Sequence, residues 1–194
     1  MSTPGEPSLG QDHLPLPIGM KVPYLEFIYR MSADMAEETQ PVGPPFNGKQ
    51  SRIILPIQGG TVKGPGLNGV ILNMSGADWG QVTGGADFMR LDARYTVRTD
   101  DGVNIYIRSK GVFSGGPGAP PAMSPREKGA EPSFSQDTVE WFTRLQFETP
   151  PGQYNWLNGI FAIGVLAQSG RSIIIDAYRI TNFPHVPPRD MNAS

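Results

Sequence analysis

The chain has 194 residues, 38% of them hydrophobic, and a formal net charge of −2. That suffices for one domain with a sizeable core, and the mild acidity provides no basic footprint for a phosphate backbone, so nucleic acid is not an expected partner. There is no cysteine, and the two histidines, His13 and His185, lie in proline-rich end segments. Disulfides, thiolate metal sites and a cysteine nucleophile are excluded, and neither a metal nor any other cofactor is expected.

Residues 1–20 lack the charged start and apolar run of a signal peptide and read as a disordered leader. No later segment approaches transmembrane length, so a cytoplasmic protein without membrane contact is expected. Tyr24–Met31 alternates as a first strand, and residues 32–50 read as irregular, with room for one helical turn in 32–40. Arg52–Ile57, Thr61–Lys63 and Leu67–Asn73 read as short strands. The glycine-rich stretch Gly59–Pro65 lacks the Gly-Lys-Ser/Thr ending of a phosphate loop and is a turn between strands. Gly76-Ala77-Asp78-Trp79 follows as a glycine-bounded loop with a carboxylate and an indole. Asp78 either caps a turn there or stands at the mouth of a pocket.

The segment 87–111 is one β-hairpin. Met89, Leu91, Ala93, Tyr95 and Val97 alternate with Arg90, Asp92, Arg94, Thr96 and Arg98. After the turn, Val103, Ile105 and Ile107 alternate with Asn104, Tyr106, Arg108 and Lys110. A three-residue loop, Asp100-Asp101-Gly102, pairs Thr99 with Val103 and therefore sets Tyr95 opposite Ile107 and Arg94 opposite Arg108. Facing arginines repel, so solvent, a carboxylate such as Asp92, or an oxygen-rich ligand must offset them. The polar face is either a solvated outer surface or the lining of an occupied cavity.

Residues 113–137 show no apolar period and read as a long loop or lid. Glu140–Thr149 sets Thr143, Leu145 and Phe147 against Phe142, Arg144, Gln146 and Glu148. Trp156–Gln168 and Ser172–Thr181 form a last hairpin, its first strand apolar on both faces. The pattern predicts an all-β protein: a single antiparallel β-barrel of about eight or more strands over 21–182, lipocalin-like in shape, with an irregular tail at 183–194.

Gly59-Gly60-Thr61, Gly64-Pro65, Leu67, Gly69, Gly76-Ala77-Asp78-Trp79, Asp92-Ala93-Arg94-Tyr95-Thr96, Thr99-Asp100-Asp101-Gly102, Phe147-Glu148-Thr149 and Trp156-Leu157-Asn158 occur in that order. Together they resemble the domain-of-unknown-function family 3237 over roughly residues 22–180. The resemblance implies a compact β-barrel found in bacteria and fungi, the fungal members standing among secondary-metabolite enzymes. One departure is that Trp141-Phe142-Thr143 has phenylalanine where the family often has an arginine. Arg144, two residues on, keeps a guanidinium on the same strand face.

These readings converge on a cofactor-independent cyclase or isomerase of a small aromatic or polyketide molecule. Asp92 or Asp78 would carry the proton, Arg94 and Arg108 would stabilise developing charge, and Tyr106 would be a second donor. Trp79, Arg144, Glu148, Trp156 and Asn158 are the candidates for binding the substrate. The alternative is a non-catalytic, lipocalin-like carrier of a small hydrophobic metabolite. A homodimer is a further expectation, drawn from the apolar strands.

Overall fold

The computed structural model describes residues 19–83, 88–117 and 133–189. Its long strands are β1 (Tyr24–Met35), β3 (Gln50–Lys63), β5 (Gly76–Thr83), β6 (Phe88–Thr99), β7 (Asn104–Gly115), β9 (Val139–Glu148), β10 (Phe161–Ser169) and β11 (Ser172–Thr181). Each pairs antiparallel with the next, and β1 pairs with both β3 and β11, so these eight strands close in chain order into an up-and-down barrel. Closure leaves no long unpaired edge. Three short strands supplement the wall: β2 (Gln40–Val42) and β4 (Gly69–Ile71) on β3, and β8 (Ser133–Phe134) on β10.

The barrel and the central hairpin match expectation. Arg94 faces Arg108, Tyr95 faces Ile107 and Val97 faces Ile105. The turn has the anticipated geometry, with Gly102 at φ 91° and a 2.9 Å hydrogen bond between the Thr99 N–H and the Val103 carbonyl. A positive φ at that corner is why glycine occupies it.

Other boundaries move. β1 runs on to Met35 and no helical turn forms in 32–40, while Arg52–Ile57 and Thr61–Lys63 belong to the single strand β3. Gly76–Trp79 is the start of strand β5 rather than a loop. It pairs on both sides, Asp78 lying between Leu55 and Ala93. Residues 118–132 of the segment read as a lid lie outside the described residues, as does most of the leader.

Side chains alternate through the wall, as a half-buried strand requires. The lower half of the barrel is packed solid by Tyr29, Val62, Leu67, Val97, Ile105, Ile107, Phe147 and Leu157. Its closed end is capped by a 3-10 turn, Asn155–Gly159, with Trp156 resting against Gly66. Beside it, Glu26 and the buried Arg179 form an ion pair that also holds the tail, the Arg179 guanidinium donating to the Val186 carbonyl and the His185 N–H to Glu26. The upper half is hollow.

Candidate active site in the barrel cavity

The hollow has a volume of about 430 Å³, within the range of small-molecule pockets. It opens where β1, β5, β7 and β10 end and β3, β6, β9 and β11 begin, since its lining includes Met35, Ile53, Met89, Phe113, Trp141, Gln168 and Ile173. Near the mouth Phe113 packs edge-on against Trp141 and Phe134, with centroids 4.8 and 5.1 Å apart. Deeper in, Met31, Leu91, Leu166 and Ile175 continue an apolar wall.

Asp78 is set into that wall. Because Leu55 and Ala93 flank it at the same level and both line the cavity, its side chain projects to the same side. Its Oδ1 accepts the Asp92 N–H at 3.0 Å. The β5–β6 pairing skips Trp79 and Gly80 opposite Asp92 and Leu91, and the Asp78 carboxyl takes up the strand N–H that the gap leaves. The Trp79 carbonyl is served instead by Arg52 Nη1 at 3.1 Å.

Burial pushes the Asp78 carboxyl up to about 6, the Asp92 N–H opposing this and the Asp92 charge adding to it. Tyr95, fully buried beneath it, is also raised, first by burial and then by the negative charge of Asp78. Among the described residues, the Tyr95 hydroxyl, Trp141 Nε1 and Thr143 Oγ1 are buried without a hydrogen-bond partner, as is the Tyr29 hydroxyl in the packed base; the first three residues line the cavity. Unpartnered buried polar atoms are costly to keep, and three of these four belong to residues of the cavity wall.

The other expected site residues lie elsewhere. Asp92, Arg94, Tyr106 and Arg108 occupy the alternate positions to Leu91, Ala93, Tyr95, Ile107 and Ser109, so they face outward. The facing arginines are offset by Asp92. Arg108 reaches it through two bonds of 3.0 and 2.9 Å and Arg94 through one of 3.3 Å, and Arg108 foremost holds the Asp92 carboxyl below the usual range. Charges inside an apolar barrel would lose hydration that one shared carboxylate could not replace, so the ordinary outward arrangement wins.

Trp79 also faces out, with the Arg94 guanidinium 5.5 Å from its ring, and Arg144 stands 5.0 Å from Phe161 on the outer wall. Glu148 lies on the same outer face, opposite Tyr106. Trp156 belongs to the closed end. Asn158 clips the chain there, accepting the Thr149 N–H at 2.9 Å and donating to the Thr149 carbonyl at 3.1 Å. Of the ten expected residues only Asp78 lines the cavity, while Tyr95, Ser109, Trp141 and Thr143 line it unanticipated. A signal for them existed: Ser109 and Thr143 are small polar residues set in otherwise apolar, inward alternations.

Asp92→Ala tests the outward assignment. Loss of these partly exposed ion pairs is expected to cost about 1 kcal/mol, measured by urea unfolding, with ligand binding in the cavity unchanged.

The fold and the hollow define a class: an eight-stranded antiparallel barrel with one end packed and the other enclosing a cavity. Residues 23–180 match the family model described as "Protein of unknown function (DUF3237)", and the chain belongs to that family. A UPF0311 protein of Rhodopseudomonas palustris is 32% identical over 133 residues, covering 69% of this chain and 82% of that protein. The crystal structure of a β-barrel-like protein from Acinetobacter baumannii has a TM-score of 0.70 at 31% identity, covering 84% of this chain and 99% of that one. The hydroalkoxylation enzyme phnH of Penicillium herquei is 27% identical over 147 residues, 73% of each chain. Among the described residues, no helix is long and apolar enough to cross a membrane.

Proposed function

We propose that the barrel cavity catalyses a cofactor-independent ring closure or isomerisation of a small oxygenated aromatic or polyketide molecule, with Asp78 as the proton carrier. The observation that carries this reading is a carboxyl sunk in an apolar cavity, held by one backbone N–H and, among the described residues, met by no cation. Such a group retains its proton at a pH where an ordinary aspartate has lost it. The relationship to a hydroalkoxylation enzyme supports the reaction type.

In an intramolecular hydroalkoxylation, the Asp78 carboxylic acid gives its proton to one alkene carbon. The phenol oxygen forms its bond to the other carbon, and the phenol proton returns to the Asp78 carboxylate. The alkene π bond and the O–H bond are consumed, one C–H and one C–O bond form, and nothing is oxidised or reduced. The Tyr95 hydroxyl, which keeps its proton because its pKa is raised, is a neutral donor that can stabilise charge on oxygen.

Two results are expected with an ortho-prenylated phenol as substrate. In D2O the cyclised product carries one deuterium on carbon. The protonated acid does the work, so log kcat falls with unit slope above about pH 6, the value to which Asp78 is raised. A rate that rises through that pH would overturn the acid role. Because the apolar lining also suits a carrier, return of every bound ligand unchanged would favour the lipocalin-like alternative.

A further inference from the structure

Arg171 is the one cation among the described residues that line the cavity, and it stands at the mouth. Its place is built. The Met35 N–H donates to the Arg171 carbonyl at 3.1 Å, Gln168 Nε2 donates to the Gly170 carbonyl at 2.9 Å, and Ser172 Oγ donates to Asp34 at 3.0 Å. The β10–β11 turn is thus tied to β1, which anchors the Arg171 backbone at the rim. The guanidinium pairs with Glu37 at 3.0 Å, and both side chains are well exposed, at 62% and 84%. An exposed pair of this kind contributes little and exchanges readily for a better-placed anion.

The interior has the opposite character. Asp78 lies opposite Ala93, four residues along β6 from Met89 at the mouth, about 13 Å along the strand at 3.3 Å per residue. Among the described residues no cation lines this depth, so an anionic ligand group there would meet a carboxyl and lose its hydration. A hydroxyl suits Asp78, a flat apolar body suits the Phe113–Trp141 wall, and a negative charge suits only the rim.

Resting on the cavity being a ligand site, we infer that its ligand is bipolar: a hydroxylated aromatic body enters hydroxyl first, and a carboxylate or similar anionic oxygen group stays at the mouth, where Arg171 exchanges Glu37 for it. Arg171 is then a specificity-determining residue, fixing which end of the molecule reaches Asp78. Glu37 holds the guanidinium in place while the cavity is free.

Isothermal titration at pH 7.5 and low salt tests this with 2-naphthol and 6-hydroxy-2-naphthoate. The carboxylated probe should bind the intact chain about five- to tenfold more tightly than the neutral one, the scale of one charge-assisted contact. Arg171→Gln should bring the two to parity, and Glu37→Gln should widen the preference. Added salt should narrow it. Equal binding of both probes, or a preference that survives Arg171→Gln, overturns the bipolar ligand and leaves the cavity intact as a site. If neither probe binds, the inference falls together with the reading of the cavity on which it rests.

Discussion

In Asp78→Asn, turnover is expected to fall by at least about 100-fold, the usual weight of a positioned general acid, while the folded protein becomes more stable. The amide oxygen can still accept the Asp92 N–H, so the strand contact persists while the buried charge is removed. A folded-state pKa of about 6 against an ordinary 3.8 means that folding favours the protonated carboxyl. Its contribution is fully present below about pH 4 and is lost as the pH rises through 6. The difference corresponds to about 3 kcal/mol as an upper bound, or roughly 6–12 °C in Tm for a chain of this size.

The asparagine variant should therefore match the parent protein near pH 4 and exceed it at pH 8. Thermal unfolding at the two pH values measures this. A variant equally stabilised at both, or destabilised at pH 8, would show that burial does not govern Asp78. Gain of stability with loss of activity is a frequent mark of a site maintained against its folding preference.

The second large effect is expected from Gly76→Ala, just two residues upstream. β5 crosses so close to β6 here that an added Cβ would lie 1.7 Å from the Arg94 carbonyl oxygen and 2.9 Å from the Tyr95 Cα. Both obstacles are backbone, so the strands must separate. Separation breaks the pairing of Ala77 with Arg94 and draws Asp78 away from the Asp92 N–H. A loss of about 3 kcal/mol or more in urea unfolding is expected, together with weakened cavity binding in whatever fraction remains folded. Gly102→Ala provides the contrast. Nothing lies within 4 Å of a Cβ there, and only its positive φ is unfavourable, costing about 1 kcal/mol. Comparable losses in the two variants would remove the close approach at Gly76 as an explanation.

The central hairpin was legible because local rules alone determine it: a three-residue turn with glycine at φ 91° sets the register of every pair down to Phe88 and Ser114. Strand order was also accessible, since among the eight long strands every pairing except the closing one of β1 with β11 joins neighbours in the chain. Which face points inward was harder. Alternation reveals two faces and their polarity, but a barrel can bury either one around a polar ligand. Relative cost decides it: the charges of Asp92, Arg94 and Arg108 on β6 and β7 keep their water outside, while the small or neutral polar groups of Tyr95, Ser109 and Thr143 lose less by turning inward.

Asp78 shows a different limit. Glycines at 76 and 80 made its segment look like a turn, yet Gly76 permits close approach of two strands, and a Cβ at Gly80 would meet the Met89 sulfur at 2.8 Å. Small residues demanded by contact between distant strands leave the same trace in a sequence as those demanded by chain reversal. Arg171 was hidden for a related reason. As one residue of a two-strand turn it carries no pattern, and only the closure of β11 onto β1 brings it to the cavity mouth.

The barrel's solid lower half and hollow upper half also bear on how such a protein can diversify. Stability is concentrated around Val62, Val97, Ile105 and Leu157, remote from the mouth, so exchanges at Ile53, Met89, Phe134 or Ile173 reshape the ligand space without loosening that foundation. Random libraries confined to those four positions should yield mostly folded proteins with altered ligand preference, whereas the same diversity at the base should yield mostly unfolded ones. One barrel framework can in this way support a range of small-molecule chemistries, its lower rungs held constant while its upper rungs drift.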